Sequence, residues 1–324
     1  MIRTALTDFL QIKYPIFNAP MATSATAELA GAVSGSGGFG MLGMGSTVPD
    51  PEWLEFQIKR VREITDNPFG VGFITSVDGI GELVEVAIRN KVDLIGHSFS
   101  DPSPYIADAK NSGIKVLQQV QTVEQAIHAS EIGVDLLVAQ GTDGGGHIGH
   151  IGTISITPAV VDACPGIPVL AAGGIVDGRG VAAALALGAS GVWVGSRFVA
   201  SNEWFGPAWA KQALTEVGTD DTVNTKSYDL ATDAPFPFHI GHRVIRNKFT
   251  DQWHQNYEKL LKHKEDLKTD IALAQKNADL TVAPVNAGSG SGPIKSIDKV
   301  SEIICNMMNE TESILKTLGG GLQN

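Results

Sequence analysis

Short apolar runs, rich in β-branched residues, recur along the first two thirds of the chain, and segments with helical periodicity separate them. Most of these runs are apolar without interruption, as expected for parallel strands that helices cover on both faces. Because eight strand–helix units follow one another in one region, the pattern favours an α/β fold, a (β/α)₈ or TIM barrel, over an open doubly wound sheet. The predicted strands span residues 15–19, 38–42, 69–74, 92–97, 115–120, 134–140, 168–173 and 191–195.

The alternation of strands and helices stops after strand eight. We therefore divide the chain into a barrel of residues 1–202, a helical insertion of residues 203–280 and a C-terminal segment of residues 281–324. The C-terminal segment contains an amphipathic helical pattern at residues 296–318, which suits packing on the barrel wall. The insertion is predicted to lie over the mouth of the barrel as a lid. Five of its aromatic residues offer apolar surface that can exclude water, and the alternative is that they simply pack the insertion onto the barrel: Trp204, Phe205, Trp209, Phe236 and Phe238.

The composition narrows the classes of function. Apolar residues make up 43% of the chain, which provides for a large core, and the net charge is −11. No basic patch with interleaved aromatic residues is present, which disfavours nucleic-acid binding. Two cysteines, Cys164 and Cys305, are too few for a disulfide framework, and no apolar run reaches the roughly 18 residues that span a bilayer. The expectation is a soluble cytoplasmic protein, without membrane contact and compatible with a homodimer.

Glycines cluster at the ends of predicted strands seven and eight. In a TIM barrel these two loops commonly bind phosphate, because glycine lets backbone N–H groups approach the phosphate oxygens. A serine hydroxyl adds a further donor. Tight turns alone would also explain glycines, but two such loops on neighbouring strands favour a phosphate site. The candidate ligands are Gly173, Gly174, Gly195 and Ser196.

Strand one ends in the sequence Asn18-Ala19-Pro20-Met21. A small residue followed by proline gives a rigid, extended backbone at the barrel mouth. Such a segment can hold a flat ring through main-chain contacts while Met21 packs on the ring. The alternative is a strand that simply ends at a proline.

Strand six runs into the most unusual stretch of the chain, QGTDGGGHIGH, at residues 140–150. Gly145 and Gly146 remove side-chain bulk next to His147, and histidine can act as an acid, a base or a hydrogen-bond donor near neutral pH. The position at a strand's carboxyl end makes His147 the candidate catalytic residue, and we interpret His150 as a bystander. Asp143, His147 and His150 have side chains that suit zinc, but a flexible glycine loop is poorly preorganised, so no metal is predicted.

The motifs together resemble the nitronate monooxygenases, formerly called 2-nitropropane dioxygenases. The matching segments, in chain order, are PIFNAPMA, GTDGGGHIG, PVLAAGGI, GVWVGSRF, HIGHRVIRNKFTDQW and AGSGSGPIKSI. The resemblance implies non-covalent FMN, with Ala19, Pro20 and Met21 at the isoalloxazine ring and the strand-seven and strand-eight glycines at the phosphate. It also implies that His147 lies beside a nitronate or nitroalkane, which the enzyme oxidises with O₂ to a carbonyl compound and nitrite.

Three positions depart from some members of this family. Gly72 stands where some members have Asn, Gln119 where some have Lys, and Gln140 where some have an acidic residue. The two glutamines can still form hydrogen bonds with the flavin, and Gly72 is kept among the candidate cofactor residues. Loss of the lysine charge should alter the redox tuning of the flavin.

Two other interpretations stay open, and a third is disfavoured. An FMN-dependent enoyl-acyl-carrier-protein reductase, or another NAD(P)H-dependent flavin reductase, shares the barrel and the GGHxG loop. The IMP dehydrogenase barrel is similar, but no catalytic-cysteine loop follows strand six. A flavin-binding protein without turnover is the alternative that is not an enzyme.

Overall fold

The computed structural model describes residues 2–45 and 50–320, so the outermost predicted boundaries, residues 1 and 324, lie outside the described residues. The strands in this part of the chain are β1 Ile16–Asn18, β2 Gly40–Met44, β3 Phe69–Ile74, β4 Leu94–Ser98, β5 Lys115–Val120, β6 Leu136–Gln140, β7 Gly146–Ile148, β8 Val169–Ala172, β9 Gly191–Val194, β10 Thr222–Thr225 and β11 Gly241–Ile245.

The α-helices are described in the same order. They are α1 Ala5–Leu10, α2 Ala27–Gly35, α3 Pro51–Ile64, α4 Ile80–Arg89, α5 Ser103–Asn111, α6 Val123–Glu131, α7 Thr153–Ala163, α8 Gly178–Ala186, α9 Ser196–Val199, α10 Ala208–Glu216, α11 Ser227–Thr232, α12 Lys248–Trp253, α13 Tyr257–Lys262, α14 Lys264–Asn277 and α15 Val300–Gly320. None of the described helices is long and apolar enough to cross a membrane.

Eight parallel strands form the barrel, in the order β1-β9-β8-β6-β5-β4-β3-β2. A parallel bridge between Phe17 and Phe39 joins the two ends of this sheet. The predicted (β/α)₈ fold is therefore confirmed. All eight predicted barrel strands are present, because continuous apolar runs mark strands that are buried on both faces.

The inside of the barrel is filled with side chains. Phe17 and Phe39 stack with their ring centroids 4.5 Å apart, and Trp193 lies 6.0 Å from Phe17. At the amino-terminal end of the strands, α1 contributes Leu6 and Leu10 to the same buried cluster. This packing closes the amino-terminal end of the barrel. A binding site is therefore expected at the carboxyl end, where the strands finish.

The insertion after the barrel is mostly helical, and it also contains two short strands that were not predicted from the sequence. Its strands β10 and β11 pair in antiparallel fashion, and β11 pairs with β7, which lies in the glycine-rich loop after β6. These strands are short and mostly polar, so they carry no apolar run that would have revealed them. The small sheet ties the insertion to the loop that holds His147.

The C-terminal helix packs on the barrel wall. The α15 residues Ile303, Ile304, Met307 and Met308 are buried in one cluster with residues of α2, α8 and β9. Cβ at Gly178 would lie 2.6 Å from the Met307 carbonyl oxygen, so this crossing requires glycine. The segment between α14 and α15 is thereby held over the barrel mouth.

Candidate active site

A cavity of about 650 Å³ lies at the carboxyl ends of the barrel strands, a volume typical of small-molecule and cofactor sites. No lysine, arginine, aspartate or glutamate of residues 2–45 and 50–320 lines it. Its wall brings together twelve of the fourteen predicted site residues, namely Ala19, Pro20, Met21, Gln119, Gln140, Gly145, Gly146, His147, Gly173, Gly174, Gly195 and Ser196.

The glycines after β8 form one side of a cradle suited to phosphate. Gly173 and Gly174 have φ angles of 113° and 73°, in the left-handed region that glycine adopts without strain. Gly195 and Ser196 follow the neighbouring strand β9 and line the same cavity. Because no basic side chain of the described residues lines the cavity, a phosphate here would be bound by backbone N–H groups and hydroxyls.

A third wall of the cradle comes from the C-terminal Gly/Ser stretch, which the sequence analysis did not assign to the cofactor. The Gly288 N–H donates to Ser196 Oγ at 3.0 Å, and Cβ at Gly290 would lie 2.2 Å from the Gly174 carbonyl oxygen. Ser291 lines the cavity, is fully buried, and its hydroxyl has no hydrogen-bond partner among the described residues. A buried unpartnered hydroxyl costs free energy unless a ligand satisfies it, so Ser291 fits a phosphate oxygen.

The two predicted residues away from the cavity wall are Asn18 and Gly72. The Asn18 amide is completely buried and exchanges hydrogen bonds with the backbone of Met41, which ties β1 to β2. Cβ at Gly72 would lie 2.3 Å from Pro20 Cγ, so this glycine makes room for the proline. Both residues therefore shape the segment from Ala19 to Met21 without lining the cavity themselves.

The two glutamines have different surroundings. Gln119 on β5 is nearly buried and lines the cavity. Gln140 donates from Nε2 to the His147 carbonyl oxygen at 3.0 Å, and its Oε1 accepts from Gln121 Nε2 at 2.9 Å. Gln140 thus holds the His147 loop in position through the backbone.

His147 forms a buried pair with an acidic residue that the sequence analysis missed. His147 Nε2 lies 2.9 Å from Asp229 Oδ1, and only 4% of the Asp229 side chain is exposed. The other Asp229 oxygen accepts from Lys226 Nζ, which also donates to the Ile240 carbonyl oxygen at 2.7 Å. Asp229 lies on α11 of the insertion, 82 residues from His147.

The charge states of this pair follow from burial and hydrogen bonding. Burial alone would raise the pKa of Asp229, but the hydrogen bond from His147 and the close approach of His242, whose Nδ1 lies 3.3 Å from Oδ1, lower it well below its usual range. Burial lowers the pKa of His147 to about 4, although Asp229 acts in the opposite direction. At neutral pH the carboxylate is therefore ionised and the imidazole neutral. Because a carboxylate only accepts hydrogen bonds, the imidazole proton lies on Nε2 and Nδ1 keeps its lone pair.

His147 is sandwiched between two rings. Phe236 stacks on it with a centroid distance of 3.4 Å, and His242, its register partner on β11, stacks at 4.4 Å. Two parallel rings this close cannot share one face of the imidazole without overlapping, so they cover opposite faces. With Nε2 on Asp229, the Nδ1 edge is the part of the ring that is open to the cavity. His147 Nδ1 makes no hydrogen bond with any residue that the structure describes.

His147, Asp229 and His242 bring three potential metal ligands within 4.8 Å of one another. However, the two imidazoles are stacked at an interplanar angle of 17°. A metal ion lies close to the plane of each imidazole that binds it, and one ion cannot lie in two stacked planes. Lys226 also pairs with the carboxylate. The geometry therefore suits proton transfer and hydrogen bonding instead of metal binding.

The three residues that the sequence offers as zinc ligands do not come together in the structure. They are Asp143, His147 and His150. Asp143 Oδ2 accepts from the Thr153 N–H at 2.8 Å and so fixes the start of α7, and His150 is exposed. The Asp143 carbonyl oxygen accepts from the Ser289 N–H at 3.1 Å. Asp143 therefore joins the His147 loop to α7 and to the Gly/Ser stretch.

The insertion covers part of the site with three of the five aromatic residues that were predicted to form the lid. Trp204 and Trp209 line the cavity, and Phe236 covers one face of His147. Phe205 and Phe238 are each 68% exposed and take no part in the covering, contrary to the sequence prediction.

Comparison with known proteins shows the family. The chain matches the family model described as nitronate monooxygenase over residues 3–82 and 73–310. It is 34% identical over 253 residues to the Mycobacterium tuberculosis (3aS,4S,5R,7aS)-5-hydroxy-7a-methyl-1-oxo-octahydro-1H-indene-4-carboxyl-CoA dehydrogenase, covering 78% of this chain and 68% of that one.

Two solved structures are similar over nearly their whole length. FabK from Thermotoga maritima superposes with a TM-score of 0.89 at 34% identity, and the match covers 99% of both chains. Nitroalkane oxidase from Streptomyces ansochromogenes superposes with a TM-score of 0.83 at 26% identity, covering 97% of this chain and 100% of that one. The chain belongs to the nitronate monooxygenase family and is a flavin-dependent oxidoreductase.

Proposed function

We propose that the protein holds FMN and oxidises small nitroalkanes, or the nitronates derived from them, with O₂ to a carbonyl compound and nitrite. The observation that carries the proposal is the His147–Asp229 pair, which leaves a neutral imidazole with its Nδ1 lone pair open to the cavity. The family model and the nitroalkane oxidase neighbour support the substrate class.

The proposed cofactor fits the cavity residue by residue. Gly173, Gly174, Ser196 and Ser291 would bind the FMN phosphate, while the segment from Ala19 to Met21 would lie against the ring. When bound, the flavin supplies the electron acceptor that no amino-acid side chain provides. The phosphate site has no second nucleotide-binding fingerprint beside it, which supports FMN over FAD.

The chain's own residues account for the first step. A neutral nitroalkane must lose a proton from its α-carbon before it can donate electrons, and His147 Nδ1 would take that proton. Asp229 would stabilise the resulting imidazolium through the Nε2 hydrogen bond. The absence of cationic side chains from the described wall favours entry of a neutral molecule over a preformed anion.

Anaerobic mixing tests this proposal. The FMN-loaded protein is mixed separately with nitroethane, ethylnitronate and NADH while the flavin absorbance is followed. We expect nitroethane to bleach the flavin and NADH to leave it oxidised. Bleaching by NADH alone would instead make the protein an NAD(P)H-dependent reductase, and no bleaching by any of the three would indicate a flavin-binding protein without turnover.

A second candidate function is NAD(P)H-dependent reduction of a thioester-linked acyl group. The M. tuberculosis relative is named for a carboxyl-CoA substrate, and the cavity extends past His147 to Trp209 and Gln275 of the insertion. A cavity of that extent has room for a longer substrate than nitroethane. The NADH arm of the experiment separates this candidate from the first.

Asp229 is a positioning residue in this scheme, and Asp229→Asn tests it. An asparagine amide can donate to Nε2 and so move the imidazole proton to Nδ1, where it blocks the base. We expect kcat for nitroethane to fall about 10- to 100-fold while oxidation of ethylnitronate changes little. Lys226→Met is the control, because it leaves the His147–Asp229 hydrogen bond in place. Equal losses for both substrates in both variants would reduce Asp229 to a structural role.

A further inference from the structure

Phe99 has a backbone conformation that its sequence position does not explain. Seven non-glycine residues of the described chain have positive φ, and three of them, Gln11, Asp233 and Ala278, cap helix C-termini, where this conformation is common. Phe99 directly follows strand β4 with φ at 65°, and it is the one residue of the seven that lines the cavity. A bulky side chain in the left-handed region is strained, and such strain is found at functional sites.

The backbone that leads to Phe99 is held firmly. The Ser98 carbonyl oxygen accepts from the Thr75 N–H at 3.0 Å, and Thr75 Oγ1 lies 2.9 Å from the ring nitrogen Nδ1 of the buried His97. The neighbouring strand end therefore fixes residues 97 and 98. The turn at Phe99 then directs its ring across the mouth of the barrel instead of into the helix layer.

The Phe99 ring completes an aromatic corner beside His147. Its centroid lies 5.2 Å from that of Phe236 at an interplanar angle of 90°, and 6.3 Å from that of His147 at 79°. Phe236 belongs to the loop of residues 233–240 in the insertion, so the corner joins the barrel to the insertion. Phe99 lines the cavity and Phe236 packs edge-on against its ring, so Phe99, supported by Phe236, bounds the space into which a substrate's alkyl group extends when its α-carbon lies at His147.

We propose that Phe99 limits the length of the alkyl group on its own side of His147 by closing this corner, so that short alkyl groups are accepted there and long ones are excluded. The proposal rests on the proposed function, since it takes His147 as the group that meets the α-carbon. A glycine at position 99 would relieve the backbone strain. The chain instead has a phenylalanine ring at this strained position, and that ring lines the cavity.

The test compares Phe99→Gly with the wild-type protein on nitroethane and 1-nitrohexane. We expect the ratio of kcat/KM for nitrohexane to kcat/KM for nitroethane to rise at least about ten-fold, because the extra methylenes gain an apolar site. Lys91→Gly is the matched control: it relieves the same kind of strain, at φ of 51°, on an exposed residue away from the cavity. Its ratio should equal that of the wild type.

Binding without turnover separates this proposal from the proposed function. Hexanamide and acetamide are neutral and unreactive, and calorimetry gives their dissociation constants for both proteins. Tighter hexanamide binding to Phe99→Gly supports the size limit even where no nitroalkane is oxidised, in which case only the proposed function fails. Phe236→Ala opens the same corner from the insertion and should shift both measurements in the same direction. Unchanged chain-length ratios in both measurements for both variants would overturn the assignment of Phe99.

Discussion

A Gly174→Asp variant is expected to purify without FMN, whereas Gly174→Asn is expected to keep it. Gly174 lines the cavity with φ at 73°, and Cβ at this position would lie 3.2 Å from Asp143 Cβ. Aspartate and asparagine have the same shape and both tolerate the left-handed region, so the two variants differ only in charge. The comparison therefore isolates electrostatic repulsion from backbone strain.

The expected size of this effect follows from the lack of compensating cations. No lysine or arginine in the described part of the chain lines the cavity, so nothing there offsets a carboxylate beside the phosphate. Two like charges about 4 Å apart repel by about 4 kcal/mol at an effective dielectric constant of 20, which corresponds to about 10³-fold weaker binding. Fluorescence titration of the apoproteins with FMN gives both dissociation constants. Equal affinities would place the phosphate elsewhere, provided that thermal melting shows both proteins folded.

The barrel and the glycine turns at its mouth could be predicted from sequence because their signals are local. Most barrel strands are continuous apolar runs, and the glycine turns after β8 and β9 follow their strands directly, so a short stretch of sequence carries the information. The start of β2 was predicted at residue 38 and lies at Gly40. Residues 38 and 39 are still close to β1, since Phe39 forms the bridge to Phe17 that closes the barrel.

The partners of His147 could not be predicted, because no local pattern marks them. Asp229 is one of 35 acidic residues and lies in a short helix without a motif. It reaches His147 only because β11 pairs with β7 and brings the insertion onto the glycine-rich loop. His242 lies in the segment HIGHRVIRNKFTDQW, which resembles the family. That resemblance indicated a functional region, but nothing in the sequence indicated that His242 stacks on His147.

The Gly/Ser stretch illustrates an intermediate case. Its glycines were visible in the sequence, but the need for glycine comes from close contact with backbone that is distant in the chain. For example, Cβ at Gly145 would lie 2.7 Å from the Gly288 nitrogen. Such a close approach depends on where the C-terminal helix returns to the barrel. The glycine and serine content indicated that the segment is unusual, but only the three-dimensional packing shows that it lies against the glycines after β8 and β9.

Replacing His147 with alanine is expected to separate its two conceivable roles. The variant should keep FMN, because the phosphate cradle is built from other residues. If Nδ1 is the base, kcat/KM for neutral nitroethane should fall by roughly 10²–10⁴, while preformed ethylnitronate, which needs no proton removal, loses far less. If His147 only anchors the substrate, both should fall alike. His150→Ala is the control, because His150 is exposed and away from the cavity wall.

The pH dependence of the wild-type protein provides a second, independent test of His147 as the base. A base must be unprotonated to accept a proton, and burial lowers the pKa of His147 to about 4. The kcat/KM for nitroethane should therefore stay level as the pH falls from 7 towards 5 and decline only as it passes through about 4. An unburied histidine would lose activity near its ordinary pKa of about 6.5 instead. A decline centred near pH 6.5 would contradict the neutral, buried base, and the decline should be absent from the residual activity of His147→Ala.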